Sequence, residues 1–195
     1  NSKLPDLRSI LVTAERAPLA AILLRGLATG LEQLWHGRRK PKLLEDVAKK
    51  AARAAAGKVP TTRVVVDLFE RAVAEVNKSK LGEGLLVVVD EAGKALEHAA
   101  HYPKQGDVLL LQELAEFAAR SGTTPFVFIT VFHQAFTGYA ARLSPAQRNE
   151  WEKVQGRFED IAFVDGWDQS VRFVADAVTR SDDLPAKAIS SAERT

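Results

Sequence analysis

Two adjacent acids, Asp90 and Glu91, close the most apolar run of the chain, Gly84-Leu85-Leu86-Val87-Val88-Val89. At the tip of a strand such a pair has a chemical use. One carboxylate can hold the water shell of Mg²⁺, and the other can take a proton from an attacking water. Burial against an apolar core would raise the second carboxyl's pKa unless the metal's charge offset it. Apolar strands also end in acids for structural reasons alone, so the pattern leaves nucleotide chemistry and a solvated strand end both open. A second polar set, Thr130, His133 and Gln134, follows the run Phe126-Val127-Phe128-Ile129. If the two strands are neighbours, this set stands beside Asp90, where it can orient water or sense a γ-phosphate. His133 reads equally well as a packed histidine. Arg157 precedes a further apolar run, Ile161-Ala162-Phe163-Val164. It is either a surface ion-pair partner or a charge-stabilising arginine that reaches a phosphate.

Other chemistries narrow quickly. Cysteine is absent, which removes disulfides, thiol nucleophiles and thiolate metal sites together. This fits a reducing compartment, and a cytoplasmic location is expected. His98 and His101 stand three apart with Glu97 beside them, but zinc would want further ligands that the pattern does not offer. No Ser-His-Asp arrangement can be argued from residue order. Lys and Arg number 27 against 25 Asp and Glu, a net charge of +2, so the charge balance demands neither nucleic acid nor a membrane surface. The basic stretches Arg38-Arg39-Lys40-Pro41-Lys42 and Lys49-Lys50 read first as solvated surface. As a DNA contact they would give weak, salt-dependent binding. No apolar run approaches the ~20 residues of a membrane span, and no membrane partner is expected.

The elements that must hold these residues alternate. Short apolar runs predict strands over 9–13, 84–89, 126–131 and 161–164. Helical spacing predicts helices over 19–35, 44–56, 92–101, 108–120, 144–155 and 169–179. One segment is ambiguous. Arg63-Val64-Val65-Val66-Asp67 looks like a strand, yet Val65, Leu68, Phe69, Ala72, Val73 and Val76 follow a helical period. The longer period outweighs a four-residue propensity, so a helix is expected there. Asp107 suits the cap of the helix over 108–120. The uninterrupted apolar character of 84–89 predicts a strand covered on both faces. Together these imply an α/β three-layer sandwich around a mostly parallel sheet of about four strands, with ligands at the carboxyl ends. One domain over 1–180 and a polar tail over 181–195 are expected. The chain opens at Asn1 without a methionine, so it reads as a fragment of a longer protein.

The order from Leu85 to Gln134 is an apolar strand, Asp90-Glu91-Ala92-Gly93-Lys94, a helix, and a second apolar strand leading to Thr130 and His133-Gln134. This order resembles the additional-strand, catalytic-glutamate class of P-loop ATPases. With Gln105-Gly106-Asp107 and Gly156-Arg157-Phe158-Glu159, it looks like the large bacterial ATP-binding proteins of BREX-type phage-defence islands. The likeness covers roughly 85–178, and Ile10 to Leu19 is similar to the second strand and helix of that class. The resemblance implies a P-loop-NTPase-like fold, ATP and Mg²⁺ as cofactors, Asp90 at the metal, Glu91 as water-activating base and 130–134 as the sensor region. It transfers no firm role to Arg157.

The chain departs from the class at one point. A phosphate loop needs Gly-x-x-x-x-Gly-Lys-Ser/Thr, whose backbone amides and lysine cradle phosphates. Neither Gly57-Lys58 nor Gly93-Lys94 has that spacing, and no other segment of the 195 residues does. The isolated chain is therefore expected to be nearly inactive. It is either the ATPase core of a larger nucleotide-dependent protein or a non-enzymatic interaction module. Because the phosphate-loop strand is central in that class, its loss would leave open strand edges. The remainder of a parent chain or another copy is the expected partner.

Overall fold

Three runs rich in β-branched residues form strands: β1, Leu7–Thr13; β2, Gly84–Asp90; and β3, Phe126–Thr130. The computed structural model describes residues 4–102, 108–141 and 143–161. All but Asp160 and Ile161 of these belong to one compact unit, Asn1–Glu159, distinct from a second unit, Asp160–Thr195. The strands are parallel, in the order β1-β2-β3, so β2 is central and β3 is its neighbour. The register sets Val12 beside Val89 and Val89 beside Thr130. The expected strand over 161–164, apart from Ile161 itself, the helix over 169–179, the tail and the Asp107 cap lie outside the described residues.

Seven helices are described: α1, Leu19–Leu34; α2, Lys42–Ala55; α3, Thr62–Lys78; α4, Gly93–His101; α5, Leu109–Arg120; α6, Phe136–Tyr139; and α7, Pro145–Gln155. The ambiguous valine run is helical. In α3, Val65, Leu68, Phe69, Ala72, Val73 and Val76 are all buried, because a single stripe can be buried only if the whole segment keeps the 3.6-residue period. The short α6 has no counterpart in the periodicity, since four residues are too few to show one. Ser144 caps α7 in a reciprocal box with Gln147, and Pro145 takes the first helical position.

Helix α1 lies against β1, α3 against β2 and α5 against β3, while α2 packs on α1 and α3. Between helices and sheet sits a core of Ile10, Val12, Leu85, Val87, Val89, Phe126 and Phe128 with the leucines of α1 and α5. Each fully buried Leu or Ile contributes about 1.5–3 kcal/mol relative to exposure. Two glycines bring α1 unusually close to β1. A Cβ on Gly26 would stand 2.3 Å from Val12, and one on Gly30 would stand 2.6 Å from Ile10.

Burial is one-sided. Along β1 and β3 it alternates, and the residues facing away from the helices are exposed: Leu11 by 74%, Val127 by 37% and Ile129 by 43%. Leu86 and Val88 between them are half-buried. The expectation that β2 is covered on both faces therefore fails for the described residues. A parallel sheet whose strand order follows chain order explains this. Right-handed crossovers that all advance in one direction deposit every helix on the same side.

Candidate functional site

The carboxyl ends of the three strands are tied together by backbone hydrogen bonds that continue past the strands. The Ala14 N–H donates to the Asp90 carbonyl at 2.9 Å, the Val131 N–H to the Val89 carbonyl at 2.9 Å, and the Ala92 N–H to the Val131 carbonyl at 3.0 Å. These bonds fix the point at which Asp90 and Glu91 leave the sheet. Asp90 is exposed, and its Oδ1 accepts the Glu91 N–H at 2.8 Å. Glu91 then takes φ +53°, in the left-handed region, which a residue with a Cβ seldom adopts. Strain of this kind persists only where surrounding structure enforces it. Here the enforcement is the bond from Ala92 to Val131 on one side and the start of α4 on the other.

The bend turns Glu91 away from the strand direction and towards Lys94 and His133. The Lys94 ammonium donates to Oε2, and His133 Nε2 stands 3.7 Å from Oε1. The Lys94 hydrogen bond is the main cause holding the Glu91 carboxyl below its ordinary value of 4.5; partial burial opposes it, and the charges of Lys94 and His133 add to it. The sequence signal for this pair is the i+3 spacing of Lys94 from Glu91.

The expected sensor group divides. His133 is brought to Glu91. Thr130 ends β3 in register with Val89, so its side chain shares the helix-covered face, whereas Asp90 and Thr13 point to the opposite one. Gln134 is exposed and lies close to Gly138, its Oε1 3.0 Å from the position a Cβ there would take. Arg157 follows α7 and pairs with Glu116 of α5 at 3.4 Å. Its placement supports the ion-pair reading and gives the phosphate reading no help.

The surrounding wall is built from α1, α4 and α6. Arg16, in the turn after β1, pairs with Glu97 of α4 at 2.8 Å, and Glu15 pairs with Arg25 of α1. Tyr139 of α6 is buried with its hydroxyl over the first residue of α4, where a Cβ on Gly93 would stand 2.1 Å away. Only glycine fits at that contact. Phe132 packs against Phe136 and Tyr139 at ring distances of 5.9 Å, which anchors the segment carrying His133.

Other features lie apart from the acids. His98 is half-buried against the Tyr102 ring, 4.9 Å away, and burial pushes its imidazole below the usual value, with His101 adding to the effect. A groove of about 440 Å³ between α2 and α3 is lined by Asp46, Lys49, Lys50, Arg53, Asp67 and Arg71. There Arg71 bridges Asp46 at 3.0 Å and Asp67 at 3.6 Å. Of the basic clusters, Lys40 is paired with Glu32 and Lys49 with Glu45. Trp35 and Trp151 belong to the core.

Among the described residues no group of three or more His, Asp or Glu side chains is placed to hold a metal ion. A single exposed carboxylate nevertheless suits Mg²⁺, which keeps most of its waters and takes one or two carboxylates. Asp90, beside Thr13 on the open face, fits that role. A nucleotide's phosphates do not find a matching cradle, because the sequence contains no glycine-rich phosphate loop. No described helix is long and apolar enough to cross a membrane. No protein-family model, curated protein or solved structure matches the chain.

Proposed function

We propose that the ends of β2 and β3 form the acidic half of a nucleoside-triphosphate hydrolase site, of the additional-strand catalytic-glutamate type, whose phosphate-binding half comes from elsewhere in a larger ATP-dependent bacterial protein, as in phage-defence machines. The observation that supports this most is the meeting of Glu91 with His133 across two adjacent parallel strands, with Asp90 exposed one residue before. In this reading Asp90 anchors the water shell of Mg²⁺, and Glu91 is the proton acceptor. A carboxylate held below its ordinary pKa is ionised at neutral pH, which an acceptor requires. His133 positions that carboxylate. Thr130 is assigned no contact with water, because its side chain shares the helix-covered face. The chain alone is nearly inactive in this reading, since its sequence contains no glycine-rich phosphate loop.

A second reading, a non-catalytic interaction module, is favoured by one observation: Lys94 occupies the Glu91 carboxylate directly. The two readings part at Asp90. Mn²⁺ titrated into the chain without nucleotide and followed by electron paramagnetic resonance should show weak binding, with a dissociation constant of about 1 mM. Asp90→Asn should remove it and Lys94→Met should leave it. Binding that is absent in the wild type, or unchanged in Asp90→Asn, refutes the hydrolase reading.

A further inference from the structure

The whole-chain charge of +2 conceals an uneven distribution. Residues 38–63 hold nine Lys and Arg against two acids, Glu45 and Asp46, a net charge of +7, so the rest of the chain carries −5. Asymmetry of this size points to a polyanionic partner. The segment comprises the turn after α1, helix α2 and the first residues of α3. Of its nine cations, only Lys40 and Lys49 form an ion pair among the described residues. All are exposed except Lys50, which is half-buried.

Helix geometry concentrates this charge. Lys42, Lys49 and Arg53 recur at i, i+7 and i+11 on one face of α2, with Lys50 at its margin. Across the groove, Arg71 of α3 bridges Asp46 and Asp67. That bridge occupies both acids of the groove and leaves Lys50 and Arg53 without a counter-ion. Like charges three and four residues apart, as in Lys50 to Arg53 and Lys49 to Arg53, weaken a helix. The arrangement therefore costs α2 stability that an external anion would restore.

We propose that this surface holds the phosphate backbone of a nucleic-acid duplex without reading its sequence. Three observations select that polyanion. The cations spread along the ~21 Å of α2 and into both flanking turns, which suits a rod carrying one charge per ~1.7 Å better than a compact phosphate. An anionic lipid surface holds a helix through apolar residues as well as cations, but Leu43, Leu44 and Val47 of α2 are buried in the core. Single strands are gripped by stacking on aromatic rings, and residues 38–63 contain none. The proposal does not rest on the hydrolase reading.

Fluorescence anisotropy of a labelled duplex of about 20 base pairs, titrated with the full chain, should give a dissociation constant of roughly 10 µM at ~50 mM salt. Binding should weaken roughly 100-fold by ~200 mM, the counter-ion release expected of about four phosphate contacts. Lys50→Gln combined with Arg53→Gln should lower the slope of log affinity against log salt by about 2, with far-UV circular dichroism unchanged. Arg120→Gln combined with Arg148→Gln removes the same charge from exposed positions on α5 and α7 and should leave the slope unaltered. Absence of binding at ~50 mM salt overturns the proposal. So does a slope that the Lys50 and Arg53 substitutions do not change in folded protein. Equal affinity for phosphatidylserine vesicles or for polyglutamate also overturns it, because the surface then selects negative charge and not the duplex.

Discussion

Replacing Gly30 by alanine sets two effects of known sign against each other. In the interior of a helix, alanine is favoured over glycine by about 1 kcal/mol. Gly30, however, lies where α1 meets β1. A Cβ there would stand 2.6, 2.7 and 2.9 Å from Cγ2, Cγ1 and Cδ1 of Ile10, itself fully buried. Contacts that short to a side chain without free space around it put the strain near the top of the usual overpacking range, about 3 kcal/mol. The clash wins, and Gly30→Ala should lose about 2 kcal/mol net. Ile10→Ala alone should cost about 2–5 kcal/mol through the cavity it opens. In that background the three clashing atoms are gone, so Gly30→Ala should gain about 1 kcal/mol from propensity. The coupling is therefore about 3 kcal/mol, far outside the ~0.5 kcal/mol scatter of independent sites. Urea unfolding followed by circular dichroism measures all four corners of the cycle, with constant m-values as the control. If Gly30→Ala stabilises the otherwise unaltered chain, or the coupling falls below ~0.5 kcal/mol, the close approach of α1 to β1 is wrong.

Two further outcomes concern the bend after β2. Glu91→Gly and Glu91→Ala both delete the carboxylate but differ in the Cβ carried at φ +53°, so the glycine variant should have the higher urea midpoint; equal midpoints would mean the left-handed bend is absent. The Glu91 carboxyl has a folded pKa below its unfolded one, so the stability it contributes is complete above the unfolded value of 4.5 and is lost as pH falls through the folded value. Lys94→Met should move the Glu91 midpoint, read by carboxyl-carbon NMR, up towards 4.5 and flatten that part of the acid limb; a midpoint that does not move would assign the shift to another cause.

Much of this arrangement is written in the spacing of residues. The burial of α3 follows from its period, since Val65, Phe69, Ala72 and Val76 recur at helical intervals and three consecutive valines do not outweigh them. Spacing leaves the adjacency of β2 and β3 open, and the parallel pairing of Leu85 with Phe126 through Val89 with Thr130 establishes it. What spacing does not encode is how many layers the sheet receives. Leu86 and Val88 are as apolar as Leu85 and Val87, so the run looked two-sided, yet only alternate members are sealed by helices. Facing within the site was equally hidden. Thr130 and Asp90 are both at strand tips, but a one-residue offset in register sends their side chains to opposite faces. Lys94 was readable from its position three residues after Glu91. Tyr139 was not, because its place over Gly93 depends on a four-residue helix with no periodic signature.

A sheet whose strand order repeats chain order has a bearing on how it is made. Synthesis releases β1, its helices and β2 as one closed βαβ unit before β3 exists, and amino-terminal portions fold first at the pace of translation. Among the described strands, β3 then meets a finished edge, with no earlier pairing to be undone. Of the described strands the central one leaves the ribosome between the other two, and for the interval before Phe126 emerges its far side is unpaired.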